Sequence, residues 1–142
     1  MKKPLGALLI VIVAAMGFVA AKAFWRTAPP PSVSIADQVE AGFKQAVARV
    51  RPTLPRKVDN ATTLAGISSS GLVMTYLYVV DSENYELLPN FMQVAQSETT
   101  GLACNSKDTR DALLAGAVYE YRYSDEKSKS LGGFVVTSSD CK

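Results

Sequence analysis

The stretch Leu72-Val-Met-Thr-Tyr-Leu-Tyr-Val-Val-Asp81 reads as one β-strand with two apolar faces. Successive strand residues point to opposite sides, so Leu72, Met74, Tyr76, Tyr78 and Val80 share one face, and Val73, Thr75, Leu77 and Val79 share the other. A strand that is apolar on both faces is expected in the middle of a sheet. Just upstream, Thr62 to Ser68 forms a second run, and Ser69-Ser70-Gly71 between the two supplies turn residues, so a β-hairpin is predicted. Gly66 to Gly71 (GISSSG) is assigned to that turn. It is neither a nucleophile elbow nor a phosphate loop, because no strand-to-helix turn and no Lys-Ser/Thr pair accompany it.

Further along, Ala117 to Tyr123 alternates, with Tyr119, Tyr121 and Tyr123 opposite Val118, Glu120 and Arg122. A polar turn from Ser124 to Ser130 leads into Leu131 to Thr137, which predicts a second hairpin. Helices fill the remainder. Ser34 stands three residues before Asp37, and Val39, Phe43, Ala46, Val47 and Val50 recur at helical spacing, predicting a helix from Ile35 to Arg51 that Pro52 stops. Pro89 suits the first turn of a second helix, with Leu88, Phe91, Met92, Ala95, Leu102 and Ala103 as one buried stripe and Thr99-Thr100-Gly101 weakening its end. A short third helix is expected from Lys107 to Ala115, capped by Ser106 and ended at Gly116. The order of helix, hairpin, two short helices and hairpin predicts an α+β domain: a mainly antiparallel sheet with helices on one face.

The start of the chain has another character. Lys2, Lys3 and Pro4 precede Leu5 to Ala21, 17 residues without a charge, followed by Lys22, Phe24 and Trp25. Two readings compete. As a signal anchor, the apolar residues Leu5, Leu8, Leu9, Ile10, Ile12 and Phe18 would cross a membrane, with Phe24 and Trp25 at its interface. As a signal peptide, Ala21-Lys22-Ala23 offers a small-x-small cleavage site, although the apolar stretch exceeds the usual core. The anchor is favoured, which places the protein in the inner membrane as a single-pass protein with its C-terminal domain in the periplasm. The alternative is a soluble periplasmic protein cleaved after Ala23. Residues 1–26 are thus assigned to the signal segment, 27–33 (with Pro29-Pro30-Pro31) to a semi-rigid linker, and 34–142 to the periplasmic domain.

Charge and cysteine content narrow the chemistry. Of the 15 basic residues, Lys2, Lys3, Lys22 and Arg26 belong to the first segment, which leaves the rest slightly acidic against 13 Asp and Glu. Nucleic-acid binding needs a dense basic patch, so no such partner is expected. Cys104 and Cys141 are 37 apart, and the chain has no histidine. A structural disulfide is therefore favoured over a metal site, which needs more soft ligands, and over a redox pair, which usually reads CxxC. No metal and no cofactor are expected.

The lack of histidine also removes the common general base and every Ser-His or Cys-His arrangement. Ser124 and Lys127 have S-x-x-K spacing but fall in a solvated turn. Asp108 with Asp111, and Glu83 with Glu86, suit helix starts or solvated faces. Asn60-Ala61-Thr62 matches a glycosylation acceptor of eukaryotic secretory hosts. The positive feature is the tyrosines. Tyr76 and Tyr78, and likewise Tyr119, Tyr121 and Tyr123, either pack under the helices or form an exposed patch, and so are the candidate partner-binding residues.

The spacing Leu54-Pro55, Val58-Asp59, Thr63-Leu64, Tyr76, Tyr78, Cys104, Leu113-Leu114, Gly116, Tyr121 to Tyr123 and Cys141 resembles small exported bacterial domains of unassigned function. More remotely, one disulfide and the helix-hairpin order resemble pilotins, small periplasmic helpers that bind secretin tails. Pilotins are typically lipoproteins, and this chain has no cysteine near its start, so the resemblance implies a binding module only. The expected function is a non-enzymatic, membrane-tethered accessory or protein-binding domain of the bacterial envelope, with a protein partner. The alternatives are a secreted inhibitor or immunity-type protein, and a small hydrolase working through carboxylate or tyrosine groups, which Glu120 or Asp81 beside a tyrosine would favour.

Overall fold

The computed structural model describes residues 3–4 and 33–142. The apolar segment Leu5–Ala21, Phe24, Trp25 and the proline linker lie outside the described residues, except that Val33 falls within them. After a two-residue strand β1 (Lys3–Pro4), the first described helix is α1 (Ile35–Val50). Its start is fixed by a reciprocal cap. The Asp37 N–H donates to Ser34 Oγ at 3.1 Å, and the Ser34 N–H donates to an Asp37 carboxylate oxygen at 3.3 Å, satisfying amides that a helix start leaves free. A 3-10 turn, Arg51–Thr53, ends the helix with Pro52 inside it. Val39, Phe43, Ala46 and Val47 form its buried stripe.

Strand β2 (Arg56–Lys57) is short, and β3 (Thr62–Ser70) and β4 (Val73–Val80) make the first hairpin. The serines expected in the turn extend β3 instead, and the connection is Gly71-Leu72, with Gly71 at φ +54°. The chain then passes through β5 (Tyr85–Glu86), α2 (Phe91–Asn105) and α3 (Lys107–Leu114). Gly116, at φ +95°, lets the chain turn out of α3. Strands β6 (Val118–Asp125) and β7 (Ser130–Val136) form the second hairpin, and a 3-10 turn, Ser138–Asp140, closes the chain. Helix α2 begins at Phe91 rather than at Pro89. It also runs through Thr99, Thr100 and Gly101, because Thr99 and Ala103 are buried and tertiary packing outweighs weak propensity.

The five-stranded sheet has the order β2-β3-β4-β6-β7. Neighbours are antiparallel except β4 and β6, which pair in parallel. The reason is the connection: the helices between β4 and β6 carry the chain back to the end where it started, so the two strands enter the sheet in the same direction. As expected, β4 is central. Met74, Tyr76, Tyr78 and Val80 are buried beneath the helices, whereas Leu77 on the opposite face is 41% exposed. The architecture is α+β with a mainly antiparallel sheet.

The inner-membrane, single-pass placement is corrected. No helix among the described residues is long and apolar enough to cross a membrane, and crossing takes about 20 consecutive apolar residues. The longest described helix, α1, has 16 residues and carries Asp37, Glu40, Lys44 and Arg49 on its outer side.

Candidate functional site

The parallel register of β4 and β6 sets Tyr76 beside Tyr121 and Tyr78 beside Tyr123. Their rings stack, with centroids 5.3 Å and 5.1 Å apart, and the row continues across β7 from Tyr121 to Phe134 at 5.1 Å. Phe43 of α1 meets Tyr119 edge-on at 5.4 Å, and Phe91 of α2 meets Tyr123 edge-on at 5.6 Å. All five sequence-selected tyrosines are therefore together and under the helices, with Tyr121 only 7% exposed. Burial, and secondarily the neighbouring phenols, push the Tyr76, Tyr78 and Tyr121 hydroxyls well above the ordinary phenol range.

Glu120 and Asp81 are held away from these rings, whereas Asp108 at Tyr119 and Asp59 at Tyr123 add their charge to the burial that raises those two phenols. Glu120 lies on the outer face, where it accepts from Arg122 Nε at 2.9 Å and from Thr75 Oγ1 at 2.9 Å. The Arg122 hydrogen bond first, and then that of Thr75, hold the carboxyl below its usual value. Asp81 is tied to Asn84 through its side-chain and backbone N–H groups. Lys127 pairs with Glu83 at 2.8 Å, and that contact raises its pKa, the opposite of what a lysine base paired with Ser124 would need. Lys107 binds Asp111 at 2.6 Å on α3. Among the described residues no group of three or more His, Cys, Asp or Glu side chains could hold a metal ion.

Cys104, near the end of α2, and Cys141 are joined by a disulfide, with their Cα atoms 5.2 Å apart. The last residues of the chain are thereby pinned to the helical layer.

Sequence reasoning missed a surface groove. Where β5 leads into α2, a groove of about 360 Å³ opens between Leu87, Leu88, Pro89, Phe91 and Met92 on one side and Leu131 of β7 on the other, with Asn90 and Gln93 at its polar edge. Leu88, expected in a buried stripe, precedes the helix and is 45% exposed. Phe91 backs the groove by leaning on Tyr123. Met92 reaches in over Gly132, where a Cβ would lie 3.3 Å from its Cγ. Gly132 sits at φ +128°, a conformation suited to glycine, so the same residue admits both the strand geometry and the methionine. The available signal was Leu87-Leu88 before a proline, an apolar pair with no helix yet to bury it.

Comparison of the fold with solved structures gives three close matches. The EpsS pilotin of the Vibrio vulnificus type 2 secretion system is 18% identical, with a TM-score of 0.64 over 75% of this chain and 94% of that one. The fold is shared with pilotins. The type II secretion pilotin AspS from Vibrio cholerae matches at 15% identity and a TM-score of 0.58, again over 75% of this chain and 94% of that one. PA3611 of Pseudomonas aeruginosa, described as secreted, matches at 16% identity and a TM-score of 0.63, over 78% of this chain and 100% of that one. These neighbours accord with the pilotin-like resemblance read from the sequence. No protein-family model and no curated protein matches the sequence.

Proposed function

We propose that this chain is a non-enzymatic accessory protein of a bacterial envelope secretion system, acting in the periplasm by holding an apolar segment of a secretin subunit. The groove at the start of α2, on a fold shared with two type 2 secretion pilotins, carries the reading. Its lining sets apolar side chains beside almost as much polar surface and holds no ionisable side chain, which suits an amphipathic peptide better than a charged metabolite. The tyrosine row contributes from behind, by fixing Phe91 and the strands that form the groove floor.

The test is a titration of a labelled peptide from the C-terminal tail of the secretin encoded in the same genome. Binding is expected at roughly micromolar Kd, and Leu88→Glu is expected to weaken it at least about tenfold by setting a carboxylate in the apolar groove. No saturable binding up to about 1 mM peptide, or an unchanged Kd in the Leu88 variant, would refute the reading.

A further inference from the structure

The two edges of the sheet are defended unequally. On one side β2 has only two residues, both exposed cations, Arg56 and Lys57. Beyond it, β3 breaks register between Leu64 and Gly66 and continues into serines. Short length, charge and a bulge are the devices that stop an edge from pairing with another strand. On the other side β7 reads Ser130-Leu-Gly-Gly-Phe-Val-Val136, seven residues without an ionisable group or a proline. From Gly132 to Val136 it pairs in unbroken register with β6. Among the described residues, none of the other backbone or side-chain hydrogen bonds involves Leu131–Val136. Helix α2 packs over the inner face of this strand, through Met92 on Gly132. Val135, on the outer face, is 48% exposed.

We infer that β7 is a self-pairing edge, and that two copies of this chain join antiparallel through it about a two-fold axis. Charge leaves room for a second copy at this edge, and side-chain size selects it. An identical strand laid against β7 brings no like charges together, whereas the same arrangement at β2 would oppose Arg56 and Lys57 with their own copies. A two-fold centred on Phe134 sets Val135 of each copy opposite Gly133 of the other, and Val136 opposite Gly132, large against small on both faces of the joined sheet. Because β2 is blocked, the association closes at two copies instead of growing into a fibre. This inference is independent of the secretin-binding reading.

Sedimentation equilibrium of the full chain in mild detergent, from about 1 to about 300 µM, tests it. The expected result is a shift from one-chain to two-chain mass with rising concentration, and one-chain mass throughout for Val135→Lys, with unchanged far-UV circular dichroism. A wild-type protein that stays at one-chain mass, or a Val135→Lys protein that dimerises as before, overturns the proposal. Should the variant misfold, amide hydrogen exchange of the wild type decides: Gly132–Val136 must gain protection with concentration, and exchange there that is independent of concentration overturns it.

Discussion

Tyr76 and Tyr121 stand side by side on two parallel strands, their rings stacked 5.3 Å apart with planes only 12° from parallel. Tyr121 is also stacked on Phe134, so a single side chain links the first hairpin to the second. Its truncation to alanine is expected to cost about 3–5 kcal/mol, and Tyr121→Phe less than about 1.5 kcal/mol, in urea denaturation. Equal losses for the two would show that the hydroxyl, and not the ring, matters.

The Tyr123 hydroxyl is buried without a hydrogen-bond partner, as are Asp59 Oδ2 and Thr62 Oγ1. Removing an unpartnered buried group restores no lost bond and avoids its desolvation cost. Tyr123→Phe should therefore be neutral, or stabilise by up to about 1 kcal/mol. A clear drop in the denaturation midpoint would contradict this.

Alkaline behaviour follows from burial. The Tyr76, Tyr78 and Tyr121 pKa values in the fold lie well above the ordinary 10.0, so the folded state keeps its protons while unfolded phenols release theirs. Stability from these groups is complete below pH 10.0, and it falls as pH rises beyond that point through the folded pKa values. Tyrosinate absorbance of the buried rings should appear together with loss of near-UV circular dichroism. Their ionisation near the ordinary value in an intact fold would disprove it. On the acid side, Glu120 is lowered by Arg122 first and Thr75 second, so its contribution is present above the ordinary 4.5 and is lost as pH falls through the folded value. Because Glu120 is only half-buried and solvent screens its partner, that contribution is small.

Two glycines should respond in opposite senses. A Cβ at Gly133 would lie 2.6 Å from the Tyr121 carbonyl oxygen, a backbone atom held in the sheet, so Gly133→Ala is expected to destabilise by about 1–3 kcal/mol. Gly101, inside α2, has nothing within 4 Å of the same position, and Gly101→Ala should stabilise by about 0.5–1 kcal/mol. Thermal melts of the pair check both signs at once.

Loss of the Cys104–Cys141 cross-link, through a double serine variant or reduction, should lower stability by up to about 4 kcal/mol, since the bond closes a loop with a sequence separation of 37 residues. Guanidinium denaturation with and without reductant measures it. Coincident curves would mean the bond contributes nothing.

The alternating residues from Leu72 to Val80 and from Ala117 to Tyr123 made the strands readable, because burying one side of a pleated ribbon writes a period of two into the chain. Ser34 and Asp37 likewise marked the start of α1. The parallel pairing of Tyr76 with Tyr121 was not readable, since it depends on where two helices return the chain rather than on any residue in either strand. The groove escaped for a related reason. Leu88 looks like the first member of a helical stripe, and only the actual start of α2 at Phe91 leaves it exposed. The tyrosines come together as a cluster, and their burial depends on which side of the sheet the helices cover.

The disulfide also decides how the molecule bears mechanical load. A pull on Lys142 is passed from Cys141 straight to Cys104 and into α2, bypassing β7. The edge strand therefore cannot be peeled away one residue at a time from the tail. A protease or translocase that grips this end meets a closed loop containing α3, β6 and β7, and the force it applies reaches the helix whose opposite end lines the groove. The same tail that would be the natural starting point for unravelling becomes a handle on the most important helix of the candidate site.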